Sequence, residues 1–197
     1  MRKLNLPNQI TCARLVLTAI FVAAASWGGF GGYLVALLAF ILAAVSDWLD
    51  GYLARKLGLV TSLGKLLDPL ADKILVTSAF VFFSARGLCP VWITAVIIAR
   101  EFLVTGLRQI AVEKGEVIAA DQLGKWKTTF QLAYGITALL HLTLAEAGGA
   151  SSAPWSLLAD LASPASWLFQ LFLWGALVLT VLSGANYVGK SKSLLLD

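Results

Sequence analysis

The chain has 197 residues, of which 59% are hydrophobic and 13% charged. Ordinary globular domains run at about 45–50% apolar and about 25% charged, so a water-soluble core cannot hide this much apolar surface, and lipid is the expected solvent. The net charge of +4 invites a nucleic-acid partner, but the basic residues gather at the ends of apolar stretches. That is a membrane pattern, and no nucleic acid is expected.

A helix needs about 20 mostly apolar residues to cross the hydrocarbon core. Six stretches qualify, taken in chain order. Ile10–Trp27 follows Arg2 and Lys3, lacks a small-residue cleavage site before Gly28, and reads as a retained span. Gly28, Gly29, Gly31 and Gly32 punctuate the joint to the second span, Tyr33–Ala54. A basic connection with Arg55, Lys56 and Lys65 leads to the third, Leu67–Ala85. Pro90 opens the fourth, Pro90–Val112, and Lys114 and Lys125 precede the fifth, Trp126–Glu146. The stretch Ala147–Ala165, rich in Gly, Ser, Ala and Pro, is the longest outer loop. Trp167–Val188 is the sixth span, with Lys190 and Lys192 beyond it.

Loops on the other side offer only Arg86. This asymmetry predicts both termini in the cytoplasm. Trp27, Trp92, Trp126 and Trp167 fall near the predicted interfaces, as an aromatic belt requires. Cys12 and Cys89 come at opposite membrane faces, too far apart for a disulfide, and read as packing residues. There is no internal repeat, so residues 1–197 form one all-α membrane domain.

Ionisable residues inside spans are costly and mark function by default. The second span carries Asp47 and Asp50. The third carries Asp68, Asp72 and Lys73, and the fourth Arg100, Glu101 and Arg108. Asp47 and Asp50 are three apart and share a helix face, continued by Gly51 and Ala54; Gly64, Asp68 and Asp72 follow at steps of four. Two acidic stripes interleaved with small residues, joined by the short Arg55–Leu66 connection, can face each other near the cytoplasmic surface. Four converging carboxylates without His or Cys select hard cations such as magnesium, manganese or calcium. Their mutual repulsion calls for one or two divalent ions. Two such ions form a clamp for a phosphoryl group displaced in line. The sole histidine, His141, lies toward the outer end of the fifth span and reads as a structural residue.

The pattern Asp47, Asp50, Gly51, Ala54, Arg55, Gly64, Asp68, Asp72 resembles the signature of the CDP-alcohol phosphotransferases, with every signature position filled. The resemblance implies six spans, an active site on the cytoplasmic side, a homodimer, and transfer of a phosphatidyl-type group from a CDP-activated lipid to an alcohol with release of CMP. Asn8-Gln-Ile-Thr-Cys-Ala-Arg14, Ile98-Ala-Arg-Glu-Phe-Leu-Val-Thr-Gly-Leu-Arg108 and Gly124-Lys-Trp-Lys-Thr-Thr129 are similar to one branch, the bacterial phosphatidylglycerophosphate synthases. That likeness implies CDP-diacylglycerol as donor, sn-glycerol 3-phosphate as acceptor, and a bacterial inner (plasma) membrane as location. Beyond Thr129 only general hydrophobicity and a final Ser183-Gly-Ala-Asn-Tyr187 agree, and no chemical role is assigned there.

On this reading Asp47, Asp50, Asp68 and Asp72 hold two Mg2+ or Mn2+ ions, and Asp72 is also the general base. Asp47, Gly51, Ala54, Arg55 and Gly64, with Asn8 and Thr11, bind the CDP-lipid. The acceptor's dianionic phosphate needs fixed cations, for which Arg108 and Lys125 are placed, with Arg100 and Lys127 as helpers. Glu101, seven residues before Arg108, is expected to orient an arginine. The rivals are a sister enzyme with serine, inositol phosphate or phosphatidylglycerol as acceptor, a catalytically silent membrane scaffold, which the complete signature disfavours, and a cation channel or metal transporter. The last accounts for the aspartates but not for Arg55, Gly64 or the separate basic cluster.

Overall fold

The computed structural model describes residues 6–57, 62–115, 121–148 and 153–191; within these ranges the side chains of 6–9, 47–57, 62–70, 72, 153 and 154 lie outside the description. The described residues form six long helices and one short one. They are α1 (Leu6–Trp27), α2 (Gly29–Leu57), α3 (Ser62–Ala85), α4 (Val91–Glu113), α5 (Gln122–Glu146), α6 (Ala153–Ala162) and α7 (Trp167–Lys190). Each of the six expected spans lies within or almost within one long helix. The loop expected at Ala147–Ala165 is corrected, because α6 forms inside it. Ala, Leu and Trp outnumber the breakers in that segment, and α6 buries Ala162 while packing against α5 and α7.

The first joint is tighter than the four glycines suggest. Only Gly28 and Gly29 adopt left-handed backbone, at φ +77° and +67°, and these two residues complete the turn. Gly31 and Gly32 continue α2 instead. Gly32 lies against α1, where a Cβ would come 2.7 Å from the Ala24 carbonyl oxygen. The α3–α4 turn closes with Leu88 N donating to Phe83 O at 2.9 Å, and Pro90 then caps α4. Ser166 caps α7 by accepting from Phe169 N at 3.1 Å.

Helices α1 and α2 pack on each other, α2 on α5, α5 on α7, and α4 on α7. Their shared core is aromatic: Phe21, Phe40, Phe80, Phe83, Tyr134 and Phe169 are all buried. Tyr134 stacks on Phe80 at 5.5 Å and meets Phe83 and Phe169 edge-on. Its hydroxyl donates to Leu88 O at 2.9 Å, so the phenol is satisfied in an apolar setting. Cys12 and Cys89 are both free thiols.

The outer surface is apolar as well. Val35, Leu38, Leu42 and Val45 on α2 and Leu171, Val178, Val181 and Leu182 on α7 are exposed. A helix that is apolar all round belongs in a bilayer. Among the described residues, Ile10–Trp27, Gly29–Ser46 and Trp155–Lys190 are long and apolar enough to cross a membrane. The chain is therefore a membrane protein. Helix α4 is interrupted by Arg100, Glu101 and Arg108, and these polar residues build the site. Trp27, Trp92, Trp126 and Trp167 all stand exposed near helix ends, as interfacial anchors do.

Candidate functional site

The expected metal and CDP-lipid residues fall on two helices. Asp47, Asp50, Gly51, Ala54 and Arg55 belong to α2, and Gly64, Asp68 and Asp72 to α3. Their side chains, and that of Asn8 on α1, lie outside the described residues, as do the convergence of the carboxylates and the proton-accepting role of Asp72. Among the described residues no group of three or more His, Cys, Asp or Glu could hold a metal. Asp47, Asp50, Asp68 and Asp72 lie outside that search; as a donor set of oxygens alone their chemistry would fit a hard divalent ion. Thr11 is described. It is fully buried on α1, one turn from Arg14, which is 1% exposed. Thr11 does not line the cavity below.

The basic residues do come together. A cavity of about 430 Å³ is bounded by Ala44 of α2, Lys73 of α3, Arg100, Glu101, Thr105 and Arg108 of α4, Gly124, Lys125, Lys127 and Thr128 of α5, and Tyr187 of α7. All four residues expected to hold the acceptor's phosphate line it, joined by Lys73. Among the described residues, five cations and one carboxylate line it. The cavity touches α2 at Ala44, three residues before Asp47, and α3 at Lys73, immediately after Asp72.

Its floor is an ion cluster. Lys127 Nζ donates to Glu101 Oε1, and the Arg100 guanidinium lies 3.5 Å from the same oxygen. All three side chains are nearly dry, at 6%, 9% and 10% exposure. Arg100 Nη2 also donates to Ser183 Oγ at 2.9 Å, and Ser183 Oγ donates on to Thr180 O at 3.2 Å. Arg100 Nε is buried with no hydrogen-bond partner among the described residues. Burying a guanidinium with a spare donor is costly unless an anion shares it. Gly184 makes room for this arginine, since a Cβ there would sit 3.0 Å from Arg100 Cγ.

The wall is different. Arg108 and Lys125 are exposed residues. Arg108 Nη2 donates to the Tyr187 hydroxyl at 2.6 Å, and its guanidinium stands 5.2 Å from the centre of that ring. Glu101 does lie beside an arginine, but Arg100 rather than Arg108. Two cations thus share one carboxylate in a partly neutralised floor, while Arg108 and Lys125 present charge to whatever enters. A planar guanidinium beside a flexible ammonium suits a phosphate.

Residues beyond Thr129 contribute more than the sequence reading assigns them. Ser183 and Tyr187 are four apart on α7, so both meet α4, one holding each arginine. Two polar side chains at helical spacing inside an apolar stretch were the available signal. Asn186 Nδ2 donates to Asp121 Oδ2 at 2.9 Å, and Asp121 N donates to the Tyr187 hydroxyl at 3.4 Å, which joins the start of α5 to the end of α7.

Comparison with known proteins shows the family. A model of the CDP-alcohol phosphatidyltransferase family matches residues 4–182. A Bacillus subtilis CDP-diacylglycerol–glycerol-3-phosphate 3-phosphatidyltransferase is 42% identical, over 95% of both chains. A Rickettsia bellii protein of the same name is 33% identical over 95% of this chain and 96% of its own. A probable phosphatidylglycerophosphate synthase of Mycobacterium tuberculosis is 34% identical over 95% of this chain and 81% of its own.

Proposed function

The chain belongs to the CDP-alcohol phosphatidyltransferase family, and from that premise we propose that it transfers the phosphatidyl group of CDP-diacylglycerol to sn-glycerol 3-phosphate, giving phosphatidylglycerophosphate and CMP. The observation that carries the acceptor is the cavity lined by Lys73, Arg100, Arg108, Lys125 and Lys127, which abuts the helix positions flanking the aspartate motif. On this reading the acceptor's free hydroxyl attacks the diphosphate of a lipid held at the aspartates. The relatives named for this reaction support the same acceptor.

Asp47, Asp50, Asp68 and Asp72 would hold two Mg2+ or Mn2+ ions, which when bound supply charge neutralisation for the diphosphate and the departing CMP. Arg55, with Asn8 and Thr11, binds the CDP group, and Gly51, Ala54 and Gly64 leave room for the nucleotide to lie close to the backbone. Arg108 and Lys125 take the acceptor's phosphate over the floor formed by Arg100, Glu101 and Lys127. Asp72 accepts the proton of the glycerol 1-hydroxyl as its oxygen attacks the lipid-side (β) phosphorus. The bond from that phosphorus to the bridging oxygen breaks, and CMP leaves with the electron pair. Among the described residues no Ser, Cys or His lines the cavity to offer a covalent relay, and transfer is direct. Positioning and charge compensation carry the catalysis. The protein is one domain with six spans, both termini and the active site on the cytoplasmic face of a bacterial inner membrane, and it works as a homodimer.

The test is CMP release by purified protein with CDP-diacylglycerol and magnesium or manganese, with glycerol 3-phosphate, serine, inositol phosphate or phosphatidylglycerol as acceptor. Release that requires glycerol 3-phosphate and stops with chelator is expected. Asp72→Asn should lose nearly all turnover while substrate binding persists. Release that depends on another acceptor refutes the acceptor assignment, and an Asp72→Asn variant that keeps most of its rate refutes the base.

A further inference from the structure

We propose that Tyr187 is a positioning residue for acceptor recognition, holding Arg108 in its phosphate-binding pose and fixing that pose relative to the start of α5. The inference rests on the acceptor reading above. Arg108 is an exposed residue on a long, flexible side chain, and such a group recognises an anion well only if it is oriented beforehand. Among the described residues, Tyr187 supplies the orientation in two ways. Its hydroxyl accepts from Arg108 Nη2 at 2.6 Å, and its ring lies against the guanidinium at 5.2 Å.

Tyr187 is itself well placed for this. It is 3% exposed, anchored on α7, and its ring also stands 5.8 Å from the Arg100 guanidinium. The same hydroxyl accepts from the Asp121 amide at 3.4 Å, and the neighbouring Asn186 holds the Asp121 carboxylate at 2.9 Å. Asp121 is the cap of α5, the helix that carries Lys125 and Lys127. A single tyrosine oxygen therefore links the arginine of α4 to the start of α5, beside the direct Glu101–Lys127 pair. A guanidinium has five N–H donors, so one bond to Tyr187 leaves others for a phosphate.

The experiment compares wild type, Tyr187→Phe and Tyr187→Leu, each with Arg108 intact and with Arg108→Ala. It measures steady-state turnover in detergent micelles and equilibrium binding of glycerol 3-phosphate by calorimetry. Tyr187→Phe keeps the ring and loses the hydroxyl. Its KM and Kd for glycerol 3-phosphate should rise about tenfold, with kcat and the KM for CDP-diacylglycerol moving less than about twofold. Tyr187→Leu should lose more, because the ring contact goes too. On the Arg108→Ala background Tyr187→Phe should add nothing, since the two act as a unit. Tyr187→Phe that binds glycerol 3-phosphate like wild type overturns the inference alone, as does an equal loss with and without Arg108. A wild type that fails to bind glycerol 3-phosphate overturns the acceptor reading and this inference with it.

Discussion

Glu101 is where the site should be most sensitive to loss of a single charge. Its carboxylate accepts from Lys127 and lies 3.5 Å from Arg100, with all three side chains at 10% exposure or less. Coulomb attraction at 3.5 Å in an effective dielectric of about 20 is about 5 kcal/mol per pair, and much of that offsets the desolvation of the ions. Removing the carboxylate leaves that desolvation uncompensated for two cations, and breaking a buried pair costs about 3–5 kcal/mol. Glu101→Gln keeps the volume and one acceptor oxygen, so the lower end, about 3 kcal/mol, is expected. For a chain of this size that is a fall in Tm of about 6–12 °C. Thermal unfolding in micelles, followed by the fluorescence of the seven tryptophans, measures it. Lys127→Met should cost less, because Glu101 keeps Arg100, and the double variant should lose less than the sum by about 1–3 kcal/mol. A Glu101→Gln protein that melts within 2 °C of wild type, or strict additivity with Lys127→Met, refutes the charge-cluster reasoning.

Two further outcomes follow from the packing and the surface. Gly135→Ala places a Cβ 2.6 Å from Phe40 Cζ, and Phe40 is 1% exposed with no room to yield. Overpacking at about 1–3 kcal/mol outweighs the helix-propensity gain of at most about 1, so its Tm should fall. Gly106→Ala, with nothing within 4 Å of the new methyl, should hold or raise Tm in the same assay. The Asn186 amide, and then Lys190, hold the Asp121 carboxyl below the usual carboxylate range. A depressed folded-state pKa contributes stability above the ordinary carboxylate value, and that contribution is lost as pH falls below it. The Asp121→Asn variant should therefore melt below wild type near neutrality, and the gap should close in acid; a gap independent of pH would sink the assignment.

The two halves of the site differ: the aspartate side chains lie outside the described residues, whereas the basic half can be followed side chain by side chain. Four aspartates in apolar helices are conspicuous because lipid makes each one costly, and their spacing alone points to a hard cation. The basic half was legible as a set of residues, since Arg100, Arg108, Lys125 and Lys127 all line the cavity. It was not legible as a circuit. Glu101 was expected beside an arginine and lies beside Arg100, but spacing along α4 gave no sign that helix packing also brings Lys127 of α5 to that carboxylate. Ser183 was missed as a partner because a Ser or Thr hydroxyl in an apolar helix usually satisfies itself on the preceding turn, as Thr137 does on Ala133 O, Thr143 on Leu139 O and Ser183 itself on Thr180 O. Tyr187 reaches both Arg108 and Asp121 because α7 packs on both α4 and α5, a contact no local pattern records. The loop that proved to contain α6 failed for the opposite reason: Gly, Pro and Ser around and inside the segment masked a ten-residue helix rich in Ala and Leu. Residues that bear charge could thus be named from cost alone, whereas residues that aim those charges had to be found from the packing of α7 across the bundle.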